Sequence, residues 1–342
     1  MAKVKIIKKV GIPKRVSVEW FDNLVKCSML TPVLLKRIGK LEKKLRRLDP
    51  QLRNKEHVLV WRNVGGLGDI IMQSAIAREL KNKNPNCFII YQVPEQYLAI
   101  PKHNPYVDKT EVVECPFTEN GFDRTIKLSQ PCPASVYESI KEPNITKSRI
   151  DLFLEAGKIR TENKSLVYKI EDAERKWVEE FLSRNKVLNK IKIGFELRTA
   201  EPRRDWPYFK ELAKLLKKDK KIKIFIFDHS EKMAWKDKDV INICGFTIED
   251  LAAIVERMDL MICPDSGLAH LAGALGTKIL GLFGPTDPRM RLNTYKNIDW
   301  IWLRNKCKES PCWYSYPCGN SRCMKEIKPR DVLRKIKRMI KK

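Results

Sequence analysis

The sequence predicts an α/β protein built from two Rossmann-like, doubly wound domains that face a cleft. Three observations carry this reading. Short apolar runs alternate with stretches of helical period, as a parallel sheet with crossover helices requires. The alternation comes in two series that divide near residue 185. In each series one strand runs straight into a helix start rich in glycine or serine, the place where such folds bind ligands. A chain of 342 residues also exceeds one typical compact core and suits two domains of moderate size.

The elements follow in order. In the first series, His57–Asn63 (HVLVWRN) reads as a strand, a glycine turn follows, and Asp69–Lys81 has helical period. Cys87–Val93 (CFIIYQV) is the next strand. Six prolines interrupt the pattern between about 100 and 147, so only helices near Arg149–Gly157 and over Asp172–Arg184 are assigned after it. In the second series, Ile191–Leu197 is a strand, Tyr208–Lys217 a helix and Ile222–Asp228 a strand. Ile248–Glu256 is a helix, Leu260–Cys263 a strand, Gly267–Leu275 a helix and Lys278–Phe283 a strand. No short-period repeat is visible, which excludes a solenoid.

The net charge is +26, and it sits at the ends. Residues 1–56 carry +11, residues 322–342 carry +8, and the 265 residues between them only +7. Within the first segment, Leu34, Ile38, Leu41, Leu45 and Leu48 form an apolar stripe among lysines and arginines. This is a basic amphipathic helix, stopped by Asp49-Pro50. Its stripe can lie on an anionic membrane, pack on the protein body or pair as a short coiled coil. Basic ends of this kind attract nucleic acid or an anionic bilayer. No apolar run is long enough to span a bilayer and no signal-peptide pattern appears, so a cytoplasmic location is expected.

Three stretches carry chemistry. Gly65-Gly66-Leu67-Gly68-Asp69 lies between a strand and a helix, where glycines allow tight turning and the helix start favours anions. It is neither a P-loop, since Asp69 follows Gly68, nor a dinucleotide fingerprint, since Ile71 stands at the third glycine position. Asp69 suits either catalysis or helix capping. Cys263-Pro264-Asp265-Ser266-Gly267-Leu268-Ala269-His270 takes a buried strand into a helix whose open N–H groups at Ser266, Gly267 and Leu268 can cradle a diphosphate. His270 faces the same end one turn on, or else is a core histidine. Thr199-Ala200-Glu201-Pro202-Arg203-Arg204-Asp205-Trp206-Pro207 is a cationic loop suited to phosphate oxygens, with Trp206 able to anchor the next helix.

These stretches, together with Leu282-Phe283-Gly284-Pro285-Thr286-Asp287-Pro288, resemble the heptosyltransferase family, glycosyltransferase family 9, over about residues 57–335. The resemblance implies the two-domain GT-B architecture and inverting, metal-independent sugar transfer from an ADP-linked nucleotide diphosphate donor carrying a heptose-like sugar to a glycolipid or polysaccharide. It implies that Asp69 is the general base, with Gly66 and Gly68 in the acceptor-side loop. Thr199, Asp265, Ser266, Gly267, Leu268 and His270 fall on donor-binding positions. Arg204 stands where the family usually has a lysine against the donor phosphates. Phe246 is expected beside the nucleoside base, with Glu231 or Asp228 on the ribose. No cofactor is expected.

The boundaries expected are 1–56 for the basic extension, 57–185 for the acceptor domain, 186–325 for the donor domain and 326–342 for a basic terminal helix. Cys307, Cys312, Cys318 and Cys323 could hold a structural zinc, though their spacings exceed the usual two-residue pairs. The alternative function is a basic nucleic-acid- or membrane-binding protein without catalysis. Nucleic acid is disfavoured because no recognised binding module or basic aromatic sheet is present. The transferase reading places the protein peripherally at the inner face of the cytoplasmic membrane.

Overall fold

A computed structural model describes residues 32–113, 121–129, 131–228, 235–314, 318–319 and 321–340. The chain begins with α1 (Pro32–Leu48) and then builds a first parallel sheet from β1 (His57–Trp61), β2 (Phe88–Val93), β3 (Lys109–Val112) and β4 (Arg124–Lys127), in the order β3-β2-β1-β4. Alternation along β1 sends Val58 and Val60 into the main core, while Leu59 packs on the other face with Ile90 and Phe122. The expected helix after β1 is two: α2 (Leu67–Met72) and α3 (Ala75–Lys83), broken at Gln73-Ser74. Asn104 donates to the Ser74 carbonyl and Ser74 Oγ accepts from Val167 N–H, so tertiary partners serve the backbone at the break. The proline-rich stretch contributes α4 (Ala99–Lys102), β3, β4 and α5 (Pro133–Lys141). Then come α6 (Arg149–Ala156) and α7 (Asp172–Arg184).

The second sheet holds β5 (Ile191–Glu196), β6 (Ile222–Phe227), β7 (Val240–Ile243), β8 (Leu260–Cys263), β9 (Ile279–Phe283) and β10 (Ile298–Trp302), all parallel, in the order β10-β9-β8-β5-β6-β7. Strand order reverses between β5 and β8, so a crevice opens beyond their C-terminal ends, at Glu196 and Cys263. Helices α8 (Phe209–Leu216), α9 (Ile248–Glu256), α10 (Gly267–Leu275) and α11 (Pro288–Arg291) connect these strands. The tail adds α12 (Arg322–Lys325) and α13 (Pro329–Ile340). Its Cys323, Met324, Ile327, Val332 and Ile336 join the core of the second sheet, and Trp206 Nε1 donates to the Ile327 carbonyl at 2.9 Å.

Helix α1 turns its stripe inward except at Leu48, which is exposed. Ile38 is buried, and Leu34, Leu41 and Leu45 are half-buried. Lys43 pairs with Asp123 at 2.7 Å, and the Arg46 guanidinium stacks 4.3 Å over Phe122. Lys36, Arg37, Lys40 and Lys44 face solvent. Of the three partners open to the stripe, the protein body is the one it packs on. Among the described residues no helix is long and apolar enough to cross a membrane.

Candidate active site

The two halves meet helix start to helix start. Gly66 caps α2 and Ser266 caps α10. A Cβ on Gly68 would lie 2.9 Å from His270 Cδ2 and 3.2 Å from Gly267 Cα, and one on Gly267 would lie 2.8 Å from Leu67 Cβ. These two glycines permit the contact, which carries Asp69 to the edge of the α10 start. Only Gly65 in the glycine loop has a left-handed φ, +121°. Beside the contact lies a cleft of about 610 Å³.

One end of the cleft is apolar, lined by Phe227, Ile243, Phe246, Ile248 and Leu251. Phe246 is held edge-on by Trp177 and Phe181 of α7, at centroid distances of 6.1 and 5.9 Å. The other end is charged. Arg149 Nη1 donates to Asp69 Oδ1 at 2.6 Å, and Arg62 Nη2 lies 3.3 Å from Asp69 Oδ2. Arg149 also forks onto Glu138, with Nε at 2.9 Å from Oε1 and Nη2 at 2.5 Å from Oε2. Arg291 then links Glu138 Oε1 (2.8 Å) to Asp265 Oδ2 (3.4 Å), and Arg204 Nη1 closes on the same Asp265 oxygen at 3.4 Å. The result is an unbroken row of alternating charge: Asp69, Arg149, Glu138, Arg291, Asp265, Arg204. Tyr314 covers it, its hydroxyl accepting from Arg291 at 2.8 Å and its ring 5.0 Å from the Arg204 guanidinium.

This row sets the ionisation of its acids. Burial opposes the charge of Asp69, but Arg149 and Arg62 outweigh it and hold the carboxyl below its ordinary range. Glu138 and Asp265 behave likewise, the latter through Arg204 and Arg291. His270 goes the other way: burial depresses it to about 4, leaving a neutral ring bonded through Nδ1 to the Tyr295 hydroxyl at 2.5 Å.

A model of glycosyltransferase family 9 (heptosyltransferase) matches residues 120–314, more than half the chain. The chain belongs to this family.

Among curated relatives, it is 31% identical over 105 residues to lipooligosaccharide heptosyltransferase 2 of Campylobacter jejuni, a stretch covering 30% of this chain and 32% of that protein. It is 41% identical over 59 residues to the lipopolysaccharide core heptosyltransferase OpsX of Haemophilus influenzae, 17% of each. The matched stretches thus span less than a third of these relatives' length. Its fold is similar to that of a family 9 glycosyl transferase from Veillonella parvula, with TM-score 0.67 and 19% identity over 83% of this chain and 97% of that one. It is also similar to the E. coli heptosyltransferase WaaC solved with ADP, with TM-score 0.57 and 16% identity over 83% and 99%. The iron-containing dodecameric TibC of E. coli has TM-score 0.60 and 12% identity over 83% and 76%. These likenesses, with the two facing parallel sheets, show the GT-B architecture.

Several residues singled out in this family 9 sequence come together. Gly66, Gly68, Asp69, Thr199, Arg204, Phe246, Asp265, Ser266, Gly267, Leu268 and His270 all line the cleft. Gly68 also packs directly on the start of α10. The Thr199 hydroxyl is turned into its own loop, donating to the Glu201 carbonyl at 2.6 Å. Asp228 lines the cleft with its carboxylate accepting from Arg198 Nε at 2.9 Å. Glu231 lies outside the described residues.

The four tail cysteines are free, and among the described residues no group of three or more His, Cys, Asp or Glu side chains could hold a metal ion. Cys323 is buried against the Gly284 backbone, and burial raises its thiol to about 11. The residues missed are Arg62, Glu138, Arg149, Glu196, Arg291 and Tyr314. Arg62 and Glu196 each had a local signal, a charged residue closing an apolar strand. The others had none.

Proposed function

We propose that this protein is a metal-independent, inverting glycosyltransferase that moves a heptose-like sugar from an ADP-linked donor to a glycolipid or polysaccharide hydroxyl. The observation that carries this reading is the glycine contact that sets Asp69 beside the arginine-flanked start of α10 in one cleft. The apolar end around Phe246 suits a nucleoside base. Arg204 suits the diphosphate, and its Nε is buried without a hydrogen-bond partner, a donor that a phosphate oxygen would satisfy. The WaaC structure with ADP supports the choice of base.

In the reaction, the acceptor hydroxyl attacks the anomeric carbon and Asp69 takes its proton. Oδ2 is the oxygen available for this, since its contacts to Arg62 (3.3 Å) and Gly66 N (3.4 Å) are the longer ones. The bond from that carbon to the diphosphate oxygen breaks on the opposite face. The departing charge falls to Arg204 and the N–H groups opening α10.

A thermal-shift panel with ADP, UDP, GDP and CMP tests the donor. A ligand at about 100 times its Kd stabilises by roughly 2.7 kcal/mol. Stabilisation by ADP, lost in Asp265→Ala, supports the reading; another nucleotide winning renames the donor. No nucleotide binding alongside DNA binding overturns it.

The exposed basic face of α1 supports docking at the inner face of the cytoplasmic membrane through charge rather than insertion. Changing Lys36, Arg37, Lys40 and Lys44 to Glu is expected to abolish sedimentation with anionic vesicles while ADP binding persists. Unchanged sedimentation would refute the docking.

A further inference from the structure

Two acids end adjacent strands at the floor of the donor side, and their surroundings differ. Asp265 meets the guanidinium groups of Arg204 and Arg291. Glu196, the last residue of β5, lines the same cleft and is 5% exposed, yet among the described residues no lysine, arginine or histidine pairs with it. From β8 it faces the Cys263 thiol; from the start of α10, the Ser266 hydroxyl and the Leu268 N–H; from the 199–205 loop, the Asp205 carboxylate. Of the groups that act on it most strongly, the charged one is therefore negative. A buried carboxylate without a cation is several kcal/mol less stable than its neutral acid. Burial accordingly pushes Glu196 up to about 8.

Its close hydrogen-bond partner is Ser266 Oγ, through Oε2. Ser266 is also the N-cap of α10, its Oγ accepting from Ala269 N–H at 3.4 Å. The proton inventory decides which way this hydroxyl points. An ionised Glu196 can only accept, so it captures the Ser266 hydrogen. A neutral Glu196 has a hydrogen to give, and once it donates to Oγ, the Ser266 hydrogen is free to turn into the cleft.

We propose that Glu196, as the neutral acid, is a positioning residue of the donor site: it donates to Ser266 Oγ and so presents the Ser266 O–H to a phosphate oxygen of the nucleotide diphosphate. Ionisation of Glu196 withdraws that donor and sets a negative charge beneath the diphosphate. Donor affinity then falls on the alkaline side while the catalytic base is unaffected. The inference rests on the reading that the α10 start holds the donor diphosphate.

The test is calorimetric titration of ADP into the full-length protein at several pH values from 7.0 to 9.5, with the wild type, Glu196→Gln and Ser266→Ala. Loss of one charge-assisted hydrogen bond is expected to weaken wild-type binding about tenfold across this range. Glu196→Gln cannot ionise and always offers an N–H, so its affinity varies by no more than about twofold. Ser266→Ala binds more weakly than the wild type at pH 7.0, and that deficit shrinks toward pH 9.5, where the wild-type hydroxyl is no longer available. Parallel pH profiles for the wild type and Glu196→Gln, or a Ser266→Ala deficit independent of pH, overturn this inference alone. Absence of ADP binding by the wild type at pH 7.0 overturns the donor-site reading and the inference with it.

Discussion

Arg291 Nη1 lies 2.8 Å from Glu138 Oε1, and both side chains are almost wholly buried. Glu138 belongs to the first half of the molecule and Arg291 to the second. Through Arg149 on one side and Asp265 on the other, this pair joins the acid proposed as base to the acid proposed at the donor site. Neither charge has water to fall back on, so removing one takes away part of what neutralises the other, leaving Glu138 to Arg149 or Arg291 to Asp265.

Glu138→Ala and Arg291→Ala are therefore expected to destabilise the folded protein by about 3–5 kcal/mol, the usual cost of breaking a buried pair from one side. Denaturant unfolding of each variant checks this. A loss below about 1 kcal/mol, typical of exposed pairs, would show that the bridge is not formed in solution.

Asp69→Asn is expected to reduce turnover by at least about 10²-fold with ADP binding retained, as for loss of a general base. Arg149→Gln makes a second demand on the same site. Arg149 holds Asp69 low, so its removal raises the Asp69 pKa and moves the acid limb of the kcat/KM profile to higher pH. An acid limb that stays in place would detach Arg149 from the base.

Gly68→Ala and Gly66→Ala should part company. A methyl group on Gly68 meets His270 Cδ2 at 2.9 Å, whereas one on Gly66 meets nothing within 4 Å. Gly66 has φ −96°, which alanine adopts freely. The first substitution is expected to lose activity roughly tenfold or more by spreading the helix starts, as small misplacements at reacting groups do. The second should be nearly silent, and parallel kinetics of the two variants decide the matter.

His270 and Glu196 give stability opposite dependences on pH. The folded pKa of His270, about 4, lies below its unfolded 6.5, so its contribution is present above pH 6.5 and is lost as pH falls toward 4. The folded pKa of Glu196, about 8, lies above its unfolded 4.5, so its contribution is full below pH 4.5 and is lost as pH rises toward 8. Glu196→Gln should then gain melting temperature relative to the wild type as pH rises from 5 to 8. A constant difference over that range would mean that Glu196 keeps its proton in neither state.

Local rules made much of the site legible. Apolar period marked β1, β5, β6, β8 and β9, and helix-start chemistry marked Asp69 and Ser266, because each signal lies within a few residues of the group it places. The region between 100 and 147 resisted because β3 and β4 are four-residue strands with charged residues mixed in, whereas β8, equally short, is apolar throughout. The cysteine spacing was compatible with a metal, and the structure buries Cys323 against Gly284.

Local pattern was enough for the pair of strand–helix units, the two glycine- and serine-led helix starts, and the candidates Asp69, Arg204, Asp265 and Ser266. How they are wired emerged with the folded arrangement. Arg149 reaches Asp69 across 80 residues of chain, and Arg291 reaches Glu138 across 153. A buried charge chooses its partner by which opposite charge shares its cavity, and no pattern of neighbouring residues encodes that choice.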